Sequence, residues 1–317
     1  AALTWYEEQH SFLTTSYPFL IRSIADPCFY CFFSPKLSVM IIVSVDDYAV
    51  STTSHDWYCD FFNQYSSKYE SRNLGSLSLY NGIIIKQYSN FSFTLSQTRD
   101  IDDLLERYGL RDANPISTPM DPNFDTNEVP STNTSPVFAF SSIIGSLLWI
   151  ARMTRPDITF AVLVLASFTK NFTDQHVIAA KRILRYLKGT RDLCRTIYCI
   201  LSHPVAYPIV LPLVSMSDSD WGGDLRTRRS HSGGITLLFK SYVCSTCRKQ
   251  DFVTLSTCEA ELVALMEVIK DTLGVLNILH EIGSMEMFTV PRPITIYCDN
   301  ISTQFVSSNR IFNGRTR

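Results

Sequence analysis

Residues Ser215–Asp224 read SMSDSDWGGD and set three aspartates, Asp218, Asp220 and Asp224, between an apolar run and a Gly-Gly pair. The run that leads into them, IVLPLVSMSD, has the apolar and β-branched character of a strand. Its carboxylates either hold a cation or close the strand in a polar turn, and the segments downstream bear on the choice. SGGITLLF and SYVCSTC read as two further strands. A long helix is expected from Ser256 to Ile282, then a strand PITIYCD and a short helix NISTQFVSS.

Three strands, a helix, a strand and a helix is the opening order of the ribonuclease H-like fold, an analogy of order alone. Asp218 ends the first of these strands. Asp299 ends the strand in which Ile294, Ile296 and Cys298 alternate with Thr295 and Tyr297. Carboxylates at the ends of neighbouring strands converge on one crevice. The long helix supplies a third acid. Ser256-x-x-Glu259 fits a capping box, which gives Glu259 a structural task. Glu261 has no such task. It stands beside the apolar series Leu262, Leu265, Ile269, Leu273 and Leu276, so it is expected to turn toward the sheet edge. Three carboxylates in one crevice repel each other unless a divalent cation neutralises them, and hard oxygen donors suit Mg2+. The implied chemistry is metal-assisted hydrolysis of a phosphodiester. The bland alternative is a pair of surface aspartates and a helix-start glutamate.

Upstream, the pattern is mixed α/β. LSVMIIVSV (Leu37–Val45) is an apolar run, and with the residues after Asp46-Asp47 it reads as a hairpin carrying two acids at its turn. SLSLYNGIIIKQY and FSFTLSQ read as a strand pair. TRDIDDLLERYGL reads as a helix with Ile101, Leu104, Leu105 and Tyr108 on one face and Gly109 as its stop. Pro115, Pro119, Pro122, Pro130 and Pro136 are five of the chain's 14 prolines and mark a linker or long loop. Helix candidates SSIIGSLLWIARM and DITFAVLVLASFTKNF follow, then HVIAAKRILRYLKGT. In the last, Val177, Ala180, Leu184 and Leu187 form a core face. Lys181, Arg182, Arg185 and Lys188 form a basic one, which is either a solvated surface or a stripe that tracks phosphates.

The chain has 317 residues, 45% of them hydrophobic and 18% charged, which suits about two packed domains and argues against wholesale disorder. Its net charge of −2 means that a nucleic-acid partner must be met by a local basic patch. AALTWYEEQHSF lacks the basic and apolar regions of a signal peptide, and the apolar runs are too short to cross a bilayer. A soluble intracellular protein is expected. Two CxxC pairs, Cys28/Cys31 and Cys244/Cys247, are expected to pack as small apolar strand residues and not as a zinc site.

The strings TRPDITFAV, AAKRILRYLKGT, SDSDWGGDLRTRRSHSGGITLLF, LSTCEAELVAL and IYCDN, in this order along the chain, resemble the Pol polyprotein of copia-type LTR retrotransposons. AALTWYEEQHSFL, ADPCFY, VSVDDYAV, YNGIII, TLSQTRDIDDLLERYGL and STPMDP resemble the C-terminal half of its reverse transcriptase. The resemblance covers nearly the whole chain. It implies an α/β chain: an α+β palm and thumb remnant over 1–122, a linker and helical connection over 123–205, and a ribonuclease H-like mixed-sheet domain over 206–317. It implies Asp218, Glu261 and Asp299 as the ribonuclease H acids, and Asp46 with Asp47 as the palm metal corner. It also implies Mg2+ (or Mn2+) as cofactor, and an RNA–DNA hybrid or other nucleic acid and the remainder of the Pol polyprotein as partners. The compartment would be the cytoplasm, in a virus-like particle, or the nucleus. The order Asp, Glu, Asp differs from the Asp, Asp, Glu of an integrase core.

The sequence departs from the family at several places. The second palm aspartate, on an upstream strand, is not in it, and Ser44 stands where the family has an aromatic residue. Asn313 stands where it has a histidine, and a further acid beyond Arg317 is missing. The expectations are therefore no independent polymerase activity and weak or no hydrolysis. A catalytically dead nucleic-acid-binding or structural remnant is the second reading.

Overall fold

The computed structural model describes residues 2–122, 124, 139–199, 209–283 and 288–308. In chain order the elements begin with α1 (Ala2–Ser16), β1 (Ile21–Arg22), β2 (Phe29–Phe33), β3 (Ser38–Ser44), β4 (Asp47–Thr52), α2 (His55–Lys68) and β5 (Leu79–Tyr80). Then come β6 (Ile83–Gln87), β7 (Phe93–Ser96), α3 (Thr98–Arg107), α4 (Phe140–Met153), α5 (Thr159–Ala166), α6 (Asp174–Gly189) and β8 (Arg195–Ile197). The last stretch holds β9 (Ile209–Val210), β10 (Leu213–Asp220), β11 (His231–Leu238), β12 (Ser241–Lys249), α7 (Thr257–Gly283), β13 (Phe288–Thr289), β14 (Thr295–Cys298) and α8 (Ile301–Ser308). Helices and mixed sheets make this an α/β chain, as the sequence predicts. Among the described residues no helix is long and apolar enough to cross a membrane.

The chain divides into two compact units. One comprises Ala1–Asn81, Val205–Val210 and Leu273–Thr289; the other comprises Gly82–Pro204, Leu211–Thr272 and Val290–Arg317. In the first, β1 to β4 form an antiparallel sheet in sequence order. Val39, Ile41 and Val43 alternate inward along β3 and meet Phe12 and Leu13 of α1 and Phe61 and Tyr65 of α2. This core is rich in rings, and two of its hydroxyls share one acceptor: Tyr48 and Tyr65 both donate to Oε1 of the buried Gln9, at 2.6 and 3.0 Å. Cys31 packs in this sheet as a small buried group, and burial raises its thiol pKa.

Besides the antiparallel strands β6, β7 and β8, the second unit has two larger parts. In the helical part, Ile101, Leu104 and Leu105 of α3 join Ile143, Ile144, Leu147 and Ile150 of α4, and Ala180, Ile183, Leu184 and Leu187 of α6, in one core. The spacing in the sequence predicts these faces for α3 and α6. Arg155 of the TRPD string is buried there. It pairs with Asp157 (Nε–Oδ1 2.9 Å, Nη2–Oδ2 2.7 Å) and donates to the carbonyl of Thr190 at 2.9 Å, which fastens the end of α6 to the turn between α4 and α5.

The other part is a four-stranded sheet in the order β12-β11-β10-β14. The first three strands are antiparallel and β14 runs parallel to β10. The predicted order of strands, helix, strand and helix is found, with these differences: the first strand breaks at Leu211-Pro212 into β9 and β10, and β10 runs on to Asp220, so Asp218 lies within it and does not end it, while the short β13 precedes β14. The predicted buried face of α7 is not. Its inward stripe is Ala260, Ala264, Val268 and Thr272, whereas Ile269 and Leu273 are exposed. Small side chains explain this: a Cβ at Gly234 of β11 would stand 2.2 Å from Cγ2 of Val268, so helix and sheet meet where both surfaces are low. Cys244 and Cys247 lie in β12, and burial raises both thiols. Most of the predicted linker, along with Asn313 and Arg317, lies outside the described residues.

Candidate metal centre

Strand β10 alternates strictly. Leu213, Ser215 and Ser217 are buried on the side of α7, whereas Met216, Asp218 and Asp220 are exposed. Hydroxyls suit the covered side because each finds a partner: Ser215 Oγ lies 3.0 Å from Thr236 Oγ1 and 2.7 Å from Thr272 Oγ1. The parallel register pairs Met216 with Tyr297 and Ser217 with Cys298. One step further along both strands stand Asp218 and Asp299. Asn300 then caps α8 by accepting from the Thr303 backbone N–H at 2.9 Å, so Asp299 is held at the junction of strand and helix.

Helix α7 brings the third acid. Ser256 Oγ accepts from the Glu259 N–H at 3.2 Å, as a capping box requires. The Glu259 carboxylate, however, takes the N–H of Leu255 at 2.7 Å, one residue before the cap, so the box is closed around Leu255 and not Ser256. Gln250, buried, donates to the carbonyl of Ala260 at 2.9 Å and fixes the first turn of α7 to the end of β12. The next residue, Glu261, is only 5% exposed. Its Oε1 accepts from the backbone N–H of Ser219 at 3.0 Å and from Ser219 Oγ at 2.8 Å. Its Oε2 is met by the Cys298 thiol at 3.8 Å.

Ligand atoms of Glu261, Cys298 and Asp299 lie within 4.8 Å of one another. The structure thus brings together two of the three predicted acids and adds a thiol. Asp218 stands outside this group, because strand alternation turns it to the exposed side of β10. Its charge still acts on Glu261. Burial raises the Glu261 carboxyl pKa, the two Ser219 donors pull it down, and the charges of Asp218 and Asp299 push it up. A buried carboxylate crowded by like charges fits a divalent cation, whose charge would reverse that penalty. Cys298 belongs to the strand pattern, which does not mark it as a donor. The signal was its position, next to a strand-end acid and in line with Ser217.

Asp220 and Asp224 serve the turn. Asp224, 8% exposed, accepts from the N–H groups of Arg226 and Thr227 and from Lys249 Nζ at 2.6 Å. A Cβ at Gly223 would stand 1.9 Å from Asp220 Oδ2, so a larger residue there would turn this exposed carboxylate aside. Asp46 and Asp47 sit exposed at the β3–β4 hairpin, where Val45 adopts φ 56° and its carbonyl accepts from Trp5 Nε1 at 2.8 Å.

The basic face of α6 is engaged with the chain itself. Arg185 donates to the carbonyl of Asn114 at 2.7 Å and Lys188 to that of Ala113 at 2.8 Å. Arg182 donates to Thr118 Oγ1 at 2.8 Å and stands 3.6 Å from Asp121. Lys181 lines a groove with Arg182, Arg185, Asn114 and Asp121.

No family model matches the chain. It is 30% identical over 317 residues, its full length, to the retrovirus-related Pol polyprotein from transposon RE1 of Arabidopsis thaliana, of which it covers 20%. It is 29% identical over 322 residues to the corresponding polyprotein from transposon TNT 1-94 of Nicotiana tabacum, covering 99% of this chain and 23% of that one. The chain belongs to the retrovirus-related Pol polyproteins of copia-type transposons. It spans about a fifth of the length of these Pol relatives. A shorter relative, an uncharacterized mitochondrial protein of Arabidopsis thaliana, is 30% identical over 225 residues, 71% of this chain and 89% of that protein.

Proposed function

We propose that 206–317 is a ribonuclease H-like domain that hydrolyses the RNA strand of RNA–DNA hybrids. Asp218, Glu261 and Asp299 would hold Mg2+ (or Mn2+). The observation that carries this reading is the buried Glu261 carboxylate, which meets Asp299 at the end of the strand parallel to the one bearing Asp218. A divalent ion bound there supplies Lewis-acid activation of a water and of the phosphoryl oxygen. The chain's own part is to fix the acids: Ser219 orients Glu261, and Asn300 anchors the segment that carries Asp299. In the same reading 1–122 belongs to a reverse transcriptase palm and thumb, with Asp46 and Asp47 at the hairpin. The partners are nucleic acid and the remainder of a Pol polyprotein, within a cytoplasmic virus-like particle or the nucleus.

A labelled RNA–DNA hybrid, incubated with the chain in Mg2+ and in chelator, tests the reading against Asp299→Asn. Cleavage that needs both Mg2+ and Asp299 supports it; equal signals from both proteins overturn it. A second reading, a catalytically silent remnant, is favoured by one observation: Asp218 lies outside the group formed by Glu261, Cys298 and Asp299. Equal signals from the two proteins would support that reading.

A further inference from the structure

We propose that Cys298 makes this centre a mixed oxygen–sulfur site that binds thiophilic divalent cations, zinc above all. The inference rests on the reading of Glu261 and Asp299 as cation ligands and names a donor beyond them. Three chemically different positions converge: a buried carboxylate from α7, a thiol from the last residue of β14, and an exposed carboxylate at the start of the following turn. All three offer ligand atoms within 4.8 Å of one another. Donors around one zinc, at about 2.0–2.3 Å from it, stand roughly 3.4–3.6 Å apart in tetrahedral geometry. The 3.8 Å between Cys298 Sγ and Glu261 Oε2 is already close to that separation.

The second observation is Glu261 itself. It is more than nine-tenths buried, and its Oε2, which points into the group, meets a thiol, a weak donor. A buried carboxylate oxygen left to so weak a partner gains from a cation. Oxygen donors alone suit Mg2+, but a thiolate shifts preference toward zinc, and zinc stands far above magnesium in affinity for such donor sets. Ligation displaces the thiol proton to solvent. Three protein donors leave a fourth position open to water, unlike the four protein ligands of a structural zinc. Zinc at this centre would compete with Mg2+ for Glu261 and Asp299 and so suppress any Mg2+-dependent hydrolysis.

Cobalt(II) titrated into the whole chain reports thiolate ligation directly, through a sulfur-to-cobalt charge-transfer absorption in the near ultraviolet. The expected result is a band that saturates and that zinc displaces. It should be lost in Cys298→Ser and Cys298→Ala and kept in Cys244→Ser, with zinc affinity falling at least about tenfold in the Cys298 variants. Far-ultraviolet circular dichroism of each variant checks its fold. A band of equal strength in wild type and both Cys298 variants, or no band in a folded wild type, overturns the inference. Hybrid cleavage is read in parallel. A Cys298-dependent band in a chain that cuts no hybrid keeps the cation site and removes the nuclease. Cleavage without a Cys298-dependent band does the reverse.

Discussion

Glu261 reaches from the first turns of α7 to the backbone N–H and the hydroxyl of Ser219, at 3.0 and 2.8 Å. Ser219 directly follows Asp218, so one carboxylate sets the register of the helix against the strand that carries another. Charge-assisted bonds of this kind are about twice as strong as neutral ones. Glu261 is therefore both a structural pin and a candidate ligand, and the two tasks use different oxygens.

Replacing Glu261 by glutamine separates those tasks. Burial raises the native carboxyl, so between the ordinary value of 4.5 and the raised one the folded chain holds a proton that the unfolded chain has released. The contribution of Glu261 to stability therefore falls as pH rises through that interval. Glu261→Gln keeps an acceptor for Ser219 and drops the charge. In chelator, its urea midpoint is expected to exceed the wild-type value at pH 7 and to match it below pH 4. Magnesium should then stabilise only the wild type, by about 2.7 kcal/mol at a hundredfold excess over Kd. A midpoint for Glu261→Gln below wild type at pH 7 in chelator contradicts this account.

Asp224 has the opposite sign. Burial would raise its carboxyl, but the Lys249 ammonium and the Thr227 donors outweigh it and hold the pKa at about 2. Stability from this group is complete above the ordinary value of 3.8 and is lost as pH falls toward 2. Asp224→Asn is expected to cost about 2 kcal/mol at pH 7 and to flatten the acid limb of a stability–pH profile. Denaturant unfolding at a series of pH values measures both effects. An unchanged acid limb would assign the acid sensitivity to other carboxylates.

Much of this architecture is legible in the sequence because it is periodic. The strands of the last sheet, the core faces of α3 and α6, and the hairpin bearing Asp46 and Asp47 all follow from spacing. The buried face of α7 does not. Its hydrophobic series points to Leu265, Ile269 and Leu273, but the close approach at Gly234 selects Ala260, Ala264 and Val268 instead. Side-chain alternation gives Ser219 and Asp218 opposite sides of β10, but not which side a helix covers. Cys298 escapes as a donor because a strand cysteine usually packs as a small apolar group. For the basic residues of α6 the sequence leaves a solvated face and a phosphate stripe both open, and it does not show that Arg185 and Lys188 reach the carbonyls of Asn114 and Ala113.

Those cations give a third prediction. Arg185 and Lys188 clamp the 113–114 backbone, and a Cβ on Gly189 would stand 2.9 Å from Pro115 Cβ, so the segment lies close on α6. Arg185→Ala with Lys188→Ala is expected to speed proteolytic cutting within 110–122 while leaving the salt dependence of hybrid binding unchanged. Residues that contact phosphate would each reduce the slope of log K against log salt by about one. A reduction of that size, with proteolysis unchanged, would return these side chains to nucleic-acid recognition.

The last prediction concerns the seat of α7. Gly234 leaves room for Val268, which is 1% exposed, and this contact lies on the same helix, two turns beyond Glu261. An alanine at 234 would bring a methyl group to 2.2 Å from Val268 Cγ2 and force the helix outward or the valine off its rotamer. Overpacking of this kind costs about 1–3 kcal/mol. Lifting the helix would also lengthen the Glu261–Ser219 bonds, so cobalt affinity should fall along with stability. Val268→Ala in the Gly234→Ala background relieves the clash. The double variant is therefore expected to be more stable than the sum of the single effects by about 0.5–3 kcal/mol. Urea unfolding of the four proteins measures that coupling. Strict additivity would mean that helix and sheet are not in contact at this point, and the placement of Glu261 over Ser219 would lose its support.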